Sequence, residues 1–170
     1  VLNWAPSVMF RYMFNKQHVL MFRYRGRSST PNIEDLQEVI DITDPMNLRY
    51  GNPNLKPSFN NNFTLDYRKF VPESMRSYSA NLYYTSTLNS VANRMTYDPQ
   101  TGARVYKKEN VNGNWQARGF FSFNTPLKNK KFTISSNTNA RFSDAVSYTS
   151  VGSSKNADQE LSTTHNLGLG

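Results

Sequence analysis

The chain has 170 residues and no cysteine, 37% of its residues are apolar and 14% aromatic, and its formal net charge is +8. This length suits one ordinary domain, the lack of cysteine excludes disulfides and cysteine-ligated metal sites, and the low apolar content excludes a thick aliphatic core. A basic balance is compatible with nucleic acid, an anionic membrane surface or acidic ligands. The lysines and arginines are scattered, however, which favours the interpretation that this chain is the basic part of a larger protein.

Alternation of apolar and polar residues with a period of two is the dominant pattern and predicts β-strands. Several of these stretches exceed the ~5–6 residues usual for soluble strands and match the ~9–11 residues of a tilted transmembrane strand. The predicted fold class is therefore all-β, an antiparallel transmembrane β-barrel segment. Because residues 1–4 and 166–170 already have strand patterns, we expect a portion of a longer chain. The seven predicted strands are 4–14, 17–26, 58–70, 74–89, 113–126, 130–147 and 160–170.

The connections alternate between short turns, at 15–16, 71–73 and 127–129, and long loops, at 27–57, 90–112 and 148–159. This alternation is typical of outer-membrane barrels, with short periplasmic turns and longer extracellular loops. Aromatic residues near both ends predict two girdles at the membrane interfaces. The turn-side set is Phe14, Phe70 and Phe132, and the loop-side set is Tyr24, Phe59, Trp115 and Tyr148.

Charged residues recur on the strand face opposite the apolar stripe. An arginine or lysine that faces lipid at mid-bilayer costs roughly 2–4 kcal/mol, so these residues are expected to face a wet or protein-filled lumen. The predicted lumen-facing set is Arg11, Arg23, Arg25, Asp66, Arg68, Arg118 and Arg141.

The first long loop contains the most particular sequence. Thr30 and Pro31 predict a helix start, and helical spacing of apolar residues predicts a short helix at 32–40. Residues 44–57 contain three prolines that exclude ladder positions, which predicts a rigid, non-repetitive segment. In the second long loop, the turn signal at 98–102 with Tyr97 and Tyr106 beside it predicts a separate β-hairpin.

These motifs resemble the barrel region of TonB-dependent receptors, most closely the outer-membrane β-barrel family common in Bacteroidota. The resemblance covers about 35 residues closely, and the rhythm of strands and loops extends it along the chain. Ser58 departs from the acidic residue that often follows the second proline of the motif in that family. The matching residues are Pro31, Ile33 and Leu36; Asp44, Pro45, Asn47 and Leu48; Gly51 to Pro57; and Asn60, Asn61 and Asn62.

The resemblance implies a barrel of about twenty-two strands filled by a plug domain. It implies a Gram-negative outer-membrane location and TonB-driven uptake of a scarce nutrient, such as a siderophore, cobalamin, glycan or peptide. The partners would be membrane lipid, the protein's own plug and remaining strands, TonB and a small nutrient ligand. Residues 1–170 would then be part of the barrel domain, with the plug domain and the TonB box outside them.

No motif predicts an enzyme. His18 and His165 each stand alone, and neither a glycine-rich phosphate loop nor HExxH occurs. Asp41 and Asp44 lack the further ligands and spacing of a Ca²⁺ loop, so no metal site and no cofactor are predicted. Ligand contact is expected from loop residues chosen by position and side-chain type: Arg49, Tyr50, Tyr97, Arg104 and Tyr106.

Other classes of protein remain open from these residues. A soluble β-rich binding module, such as a lectin-like sandwich with exposed tyrosine and tryptophan, would be monodisperse without detergent. A nucleic-acid-binding protein would show salt-sensitive affinity, but the scattered basic residues argue against it. A passive porin or an adhesin-like barrel is a variant of the first hypothesis and is excluded only by the resemblance.

Overall fold

The computed structural model describes residues 4–38, 40–41, 44–127, 131–148 and 155–169. Within these residues the chain forms eleven strands and one short helix. In chain order they are β1 (Ser7–Asn15), β2 (His18–Ser29), α1 (Ile33–Leu36), β3 (Ile40–Asp41), β4 (Asn47–Tyr50), β5 (Ser58–Val71), β6 (Arg76–Leu88), β7 (Ser90–Tyr97), β8 (Arg104–Val111), β9 (Asn114–Pro126), β10 (Thr133–Tyr148) and β11 (Lys155–Leu169).

The seven long strands form one antiparallel sheet, the wall sheet, in the order β1-β2-β5-β6-β9-β10-β11. They correspond to the seven predicted strands, so this part of the prediction is confirmed. The sheet is open, since β1 and β11 each pair on one side only among the described strands. Closure and the strand count of the whole barrel stay predictions. Because β10 reaches Tyr148 and β11 begins at Lys155, the third long connection is shorter than the predicted 148–159.

The two larger loops form a second sheet, the loop sheet, in the order β3-β4-β8-β7. The predicted hairpin is confirmed as β7 and β8, closed by a turn in which Gly102 N–H donates to the Asp98 carbonyl at 2.9 Å. Gly102 has a φ of +73°, a conformation that glycine adopts without steric cost. Strand β4 pairs with β8 in parallel, unlike the antiparallel pairs of the wall sheet.

Two predictions for the first long loop are wrong. The helix predicted at 32–40 is only the four-residue α1, because Gln37 is already extended, with φ −77° and ψ 129°, and residues 40–41 are strand; residue 39 lies outside the described residues. The segment 44–57 is not wholly non-repetitive, because residues 47–50 are β4. The prolines at 45 and 53 flank this strand, so none removes one of its donors. No helix among the described residues is long and apolar enough to cross a membrane.

The strand register gives the wall sheet two different faces, because directly paired residues lie on the same side of a sheet. One face, the apolar face, has rows such as Phe22, Leu65 and Leu82 across β2, β5 and β6. It also has a continuous aromatic row across five strands, with ring centroids 4.8–5.9 Å apart. The members of that row are Tyr24, Phe63, Tyr84, Trp115 and Phe142.

The aromatic row corrects the predicted girdles in part. Tyr24 and Trp115 belong to it, as predicted for the loop side. Tyr148 instead donates a hydrogen bond to Glu109 of the loop sheet at 2.8 Å. On the turn side, Phe70 pairs with Ser77 in the register of the opposite, polar face, so its assignment to a lipid-facing girdle is wrong. The face on which a side chain lies does not depend on its distance from the turn. It depends on whether the residue has an odd or an even position along its strand.

The buried apolar side chains among the described residues are Leu55, Ala103 and Val111, and all three lie in the long loops. A sandwich needs an apolar layer between two facing sheets. Since the described part of the wall sheet has no such layer, the lectin-like sandwich is wrong. The wall sheet is a single layer whose apolar face needs a non-aqueous surrounding.

Candidate ligand-binding cleft and barrel wall

The proline-rich segment after β4 attaches the first long loop to the hairpin. The Asn52 side-chain amide donates to the Lys108 carbonyl at 2.8 Å, and its oxygen accepts from Asn54 N–H at 3.0 Å. Lys56 N–H donates to the Asn110 side chain at 2.8 Å, and the Asn110 amide donates back to the Lys56 carbonyl at 3.0 Å. Residues 52–56 of the motif behind the resemblance therefore have a structural role, because they satisfy backbone groups at the edge of the hairpin.

Gly51 allows helix α1 to lie against the same segment. A Cβ atom on Gly51 would be 1.8 Å from the Gln37 carbonyl oxygen, so no other residue fits there without backbone movement. Next to it, Asn52 N–H donates to the Asp35 carbonyl at 2.6 Å. Lys108 Nζ forms an ion pair with Asp35 Oδ1 at 2.5 Å. These contacts hold α1 over the β8 side of the loop sheet.

A cleft of about 800 Å³ lies between α1, β4 and the hairpin. This volume is within the ~300–1,000 Å³ of typical small-molecule sites. Its lining combines carboxylates, cations, amides and two tyrosines, which suits a polar ligand that offers both hydrogen-bonding groups and a flat surface for ring contact. The lining residues are Glu34, Asp35, Asp44, Asn47, Arg49, Tyr50, Gly51, Asn93, Tyr106 and Lys108.

Asp44 is a fixed negative group at the edge of this cleft. The Asn47 side-chain amide donates to it at 2.7 Å and the Met46 N–H at 2.9 Å, and these two bonds lower the pKa of the Asp44 carboxyl, the amide having the larger effect. Asp44 is therefore ionised at neutral pH. Its role is to cap the turn before β4, and the described residues contain no group of three or more acidic, histidine or cysteine side chains arranged to hold a metal ion.

The structure brings some of the predicted ligand-contact residues together. Arg49 and Tyr106 are direct partners in the β4–β8 register and both line the cleft, as does Tyr50. Tyr97 and Arg104 are partners at the far end of the hairpin and do not line it. By register, Arg49, Tyr97, Arg104 and Tyr106 share one face of the loop sheet, whereas Tyr50 is on the other.

Sequence reasoning missed most of the other lining residues. Asn93 and Lys108 are paired across the hairpin, and Glu34 and Asp35 belong to α1. Two of these residues are acidic and stand at the start of α1, but the position of α1 over β8 depends on the close approach of Gly51 to Gln37. No local pattern predicts that Asp35 of α1 lies beside Lys108 of β8, 73 positions later in the chain.

A second polar cluster connects the hairpin to the end of β10. Arg94 Nη1 donates to Glu109 Oε1 at 2.9 Å, and Tyr148 donates its hydroxyl proton to Glu109 Oε2 at 2.8 Å. The Arg94 guanidinium carbon is also 5.9 Å from the Tyr148 ring centroid. The hydrogen bond from Arg94 is the main reason why the pKa of Glu109 is lowered from its usual value. We call these three residues the hairpin clasp.

The predicted lumen-facing residues all lie on the polar face of the wall sheet. The register connects Arg23 to Thr64, Thr64 to Tyr83, Tyr83 to Arg118 and Arg118 to Arg141. The other four predicted residues lie on the same face: Arg25 and Arg11 beside Arg23, and Asp66 and Arg68 along β5 from Thr64. That this face lines a lumen stays a prediction.

A single-layered antiparallel sheet with one aromatic, apolar face and one arginine-rich polar face is the wall of an outer-membrane β-barrel protein. The chain belongs to the outer membrane protein beta-barrel family, whose model matches residues 1–168. The protein is therefore located in the outer membrane, which is incompatible with a soluble binding module. Searches of curated proteins and of solved structures gave no match.

Proposed function

We propose that the protein is a TonB-dependent outer-membrane transporter and that this chain forms part of its barrel wall and of its extracellular ligand-binding surface. The main support for the proposal is the cleft of the loop sheet. Its polar lining includes Arg49 and Tyr106, and it lies at the loop end of the membrane wall. Receptors for scarce nutrients need such a preformed outward site, whereas a passive pore does not. The resemblance of residues 31–62 to TonB-dependent receptors supports the same function.

In the proposed protein, the remaining strands complete a barrel of about twenty-two strands and a plug fills its interior. Membrane lipid surrounds the apolar face, the plug and TonB are the protein partners, and a small nutrient is the cargo. We assign the protein to Bacteroidota on the same resemblance. The chain would have no catalytic role, no cofactor and no nucleic-acid partner.

The test is uptake in cells. A strain that lacks the full-length protein is given a defined mixture of ferric siderophores, cobalamin, oligosaccharides and oligopeptides, and depletion of each compound is compared with the wild type. We expect loss of uptake of one class, and we expect the wild-type uptake to stop when the proton gradient is dissipated. Uptake that continues without the gradient would instead indicate a passive pore.

Variants of the cleft test the site itself. Arg49→Ala and Tyr106→Ala should raise the half-saturating concentration for that compound about tenfold, because each loses one hydrogen-bonding or ring contact worth about 1.4 kcal/mol. Tyr97→Ala is the matched control, since Tyr97 is on the same sheet face and outside the cleft. Equal effects of Tyr97→Ala and Tyr106→Ala would show that the cleft is not the ligand-binding site.

A further inference from the structure

Arg118 of β9 and Arg141 of β10 are direct partners in the antiparallel register. Directly paired residues have Cβ atoms about 4.5–5.5 Å apart, and like charges in this position destabilise a sheet. Arg141 is half-buried, and its Nε lies buried without a hydrogen-bond partner. Its Nη2 donates to Gln116 Oε1 at 3.3 Å, which is a long hydrogen bond. The pair therefore has both excess positive charge and unused donors.

The surroundings of the pair add further positive charge and hydroxyl groups. Tyr83 is the partner of Arg118 on its other side, and Thr64 and Arg23 continue the same row. The strand register places three acidic residues on this face: Asp66, Asp158 and Glu160. The arginines of this face are Arg11, Arg23, Arg25, Arg27, Arg68, Arg118 and Arg141.

These carboxylates do not neutralise the pair, and Asp158 is opposite Ala145, four positions along β10 from Arg141. Asp66 accepts a hydrogen bond from the Asn81 amide, and both lie on strands other than those of the pair. Glu160 pairs with Ser143, one diagonal step from Arg141, and forms no ion pair with it. The ion pairs among the described residues are Arg94–Glu109 and Asp35–Lys108, both of which are in the loops. Neither of these ion pairs involves an arginine of the polar face.

We propose that Arg118 and Arg141 form an oxyanion-binding site on the polar face of the wall sheet, for a carboxylate or a phosphate group. A guanidinium presents its donors in a planar fork that matches these groups. One oxyanion between the two side chains accepts hydrogen bonds from the unused Arg141 Nε and from Arg118. Its negative charge attracts both guanidinium groups and offsets the repulsion between them. The Tyr83 hydroxyl is an additional donor in the same row.

The oxyanion has two sources, a soluble anion or an aspartate or glutamate of another segment of the full-length protein. The two sources give different results when one arginine is removed. If a protein carboxylate occupies the site, Arg118→Gln breaks an ion pair and lowers the melting temperature. If the site is empty until a soluble anion binds, the same change relieves repulsion and raises the melting temperature in chloride buffer.

The experiment uses the full-length protein in detergent micelles, with citrate and inorganic phosphate as probes and chloride at equal ionic strength as reference. For the soluble source, we expect saturable citrate or phosphate binding by calorimetry, weakened about tenfold or more in Arg118→Gln and in Arg141→Gln. For the internal source, we expect no probe binding and a lower melting temperature in both variants. Either result supports the oxyanion site.

Arg68→Gln is the matched control, because Arg68 is on the same face of the same sheet and has no arginine partner. Arg118→Lys is a second variant, which keeps the charge and loses the fork, and it should bind the probe more weakly than the wild type. The proposal is overturned if probe binding is equally weakened in Arg68→Gln. It is also overturned if the probes do not bind and Arg118→Gln leaves the melting temperature unchanged or raises it.

Discussion

The side-chain amide of Asn52 donates a hydrogen bond to the backbone carbonyl of Lys108 at 2.8 Å, across 56 positions of the chain. This bond joins the first long loop to the hairpin of the second. The first long loop connects β2 to β5 and the second connects β6 to β9, and β5 and β6 are neighbours in the wall sheet. The loops therefore act as one unit, and the cleft between them depends on a few polar contacts and on the buried Leu55, Ala103 and Val111.

Asn52→Ala should loosen that unit. The substitution leaves the half-buried Lys108 carbonyl without its partner and removes the acceptor of Asn54 N–H, at a cost of about 1–3 kcal/mol for local opening. Hydrogen exchange of the β8 amides in the full-length protein should accelerate accordingly, while exchange in β5 and β6 stays unchanged. Asn54→Ala is the control, because the Asn54 side chain is exposed. Acceleration of equal size in both variants would contradict this role of Asn52.

Gly51→Ala should disrupt the cleft more severely. The new Cβ would be 1.8 Å from the Gln37 carbonyl oxygen, and both atoms belong to backbone or are fixed to it, so α1 must move away from β8. The expected result is loss of ligand binding in the cleft. The backbone around Asp35 and Lys108 should also show faster hydrogen exchange and easier proteolysis. Gly119→Ala is the matched control, since its Cβ would contact only Leu82 Cδ1 at 4.0 Å. Intact ligand binding in Gly51→Ala would show that the cleft tolerates this shift.

The hairpin clasp should depend on pH. The pKa of Glu109 is lowered in the folded protein from 4.5, mainly by the hydrogen bond from Arg94. Its contribution is therefore fully present above about pH 4.5 and is lost as the pH falls through the folded pKa. Glu109→Gln should destabilise the hairpin by about 0.5–1 kcal/mol at pH 7, because the pair is partly exposed, and by much less at pH 3.

The difference in melting temperature between the wild type and Glu109→Gln at these two pH values measures the effect. Glu73→Gln, in the turn at the opposite end of β6, is the control and should show no such difference. If Glu109→Gln lowers the melting temperature by the same amount at pH 7 and at pH 3, the variant has lost packing rather than charge.

The two faces of β10 should respond differently to a new charge. Ala140 is in a central row of the apolar face, with Gly119 as its partner, and Asn137 is on the polar face. Ala140→Arg should cost roughly 2–4 kcal/mol of membrane stability and reduce assembly in the outer membrane, whereas Asn137→Arg should assemble normally. Protease protection and heat-modifiable migration of the full-length protein report this assembly. Normal assembly of Ala140→Arg would reverse the assignment of the faces.

The sequence predicted the wall far better than the loops. Alternation in β5 or β9 is a local property, so the strands and the separation of Phe63 from Thr64 can be read without a structure. A residue is assigned to the wrong face when only its closeness to the strand end is considered, as for Phe70. The helix at 32–40 failed because the periodic signal of Ile33, Leu36 and Ile40 is outweighed by pairing of residues 40–41 with β4.

For the candidate site, the sequence identified Arg49 and Tyr106 from loop position and side-chain type, and the register pairs them. It did not identify Lys108 or Asn93, because their place in the cleft follows from the parallel pairing of β4 with β8 and from the contact at Gly51. Contacts across long sequence separations leave no periodic trace.

The amino-acid sequence by itself determined the long strands and the opposite polarity of their two faces, since a period of two is a property of each strand alone. Only the tertiary structure decided which rows those faces form. The continuous aromatic row from Tyr24 to Phe142, the facing arginines Arg118 and Arg141, and the cleft over β8 each require a register between strands. Register is set by pairing and by loop contacts between distant segments, and a one-residue slip would change all three.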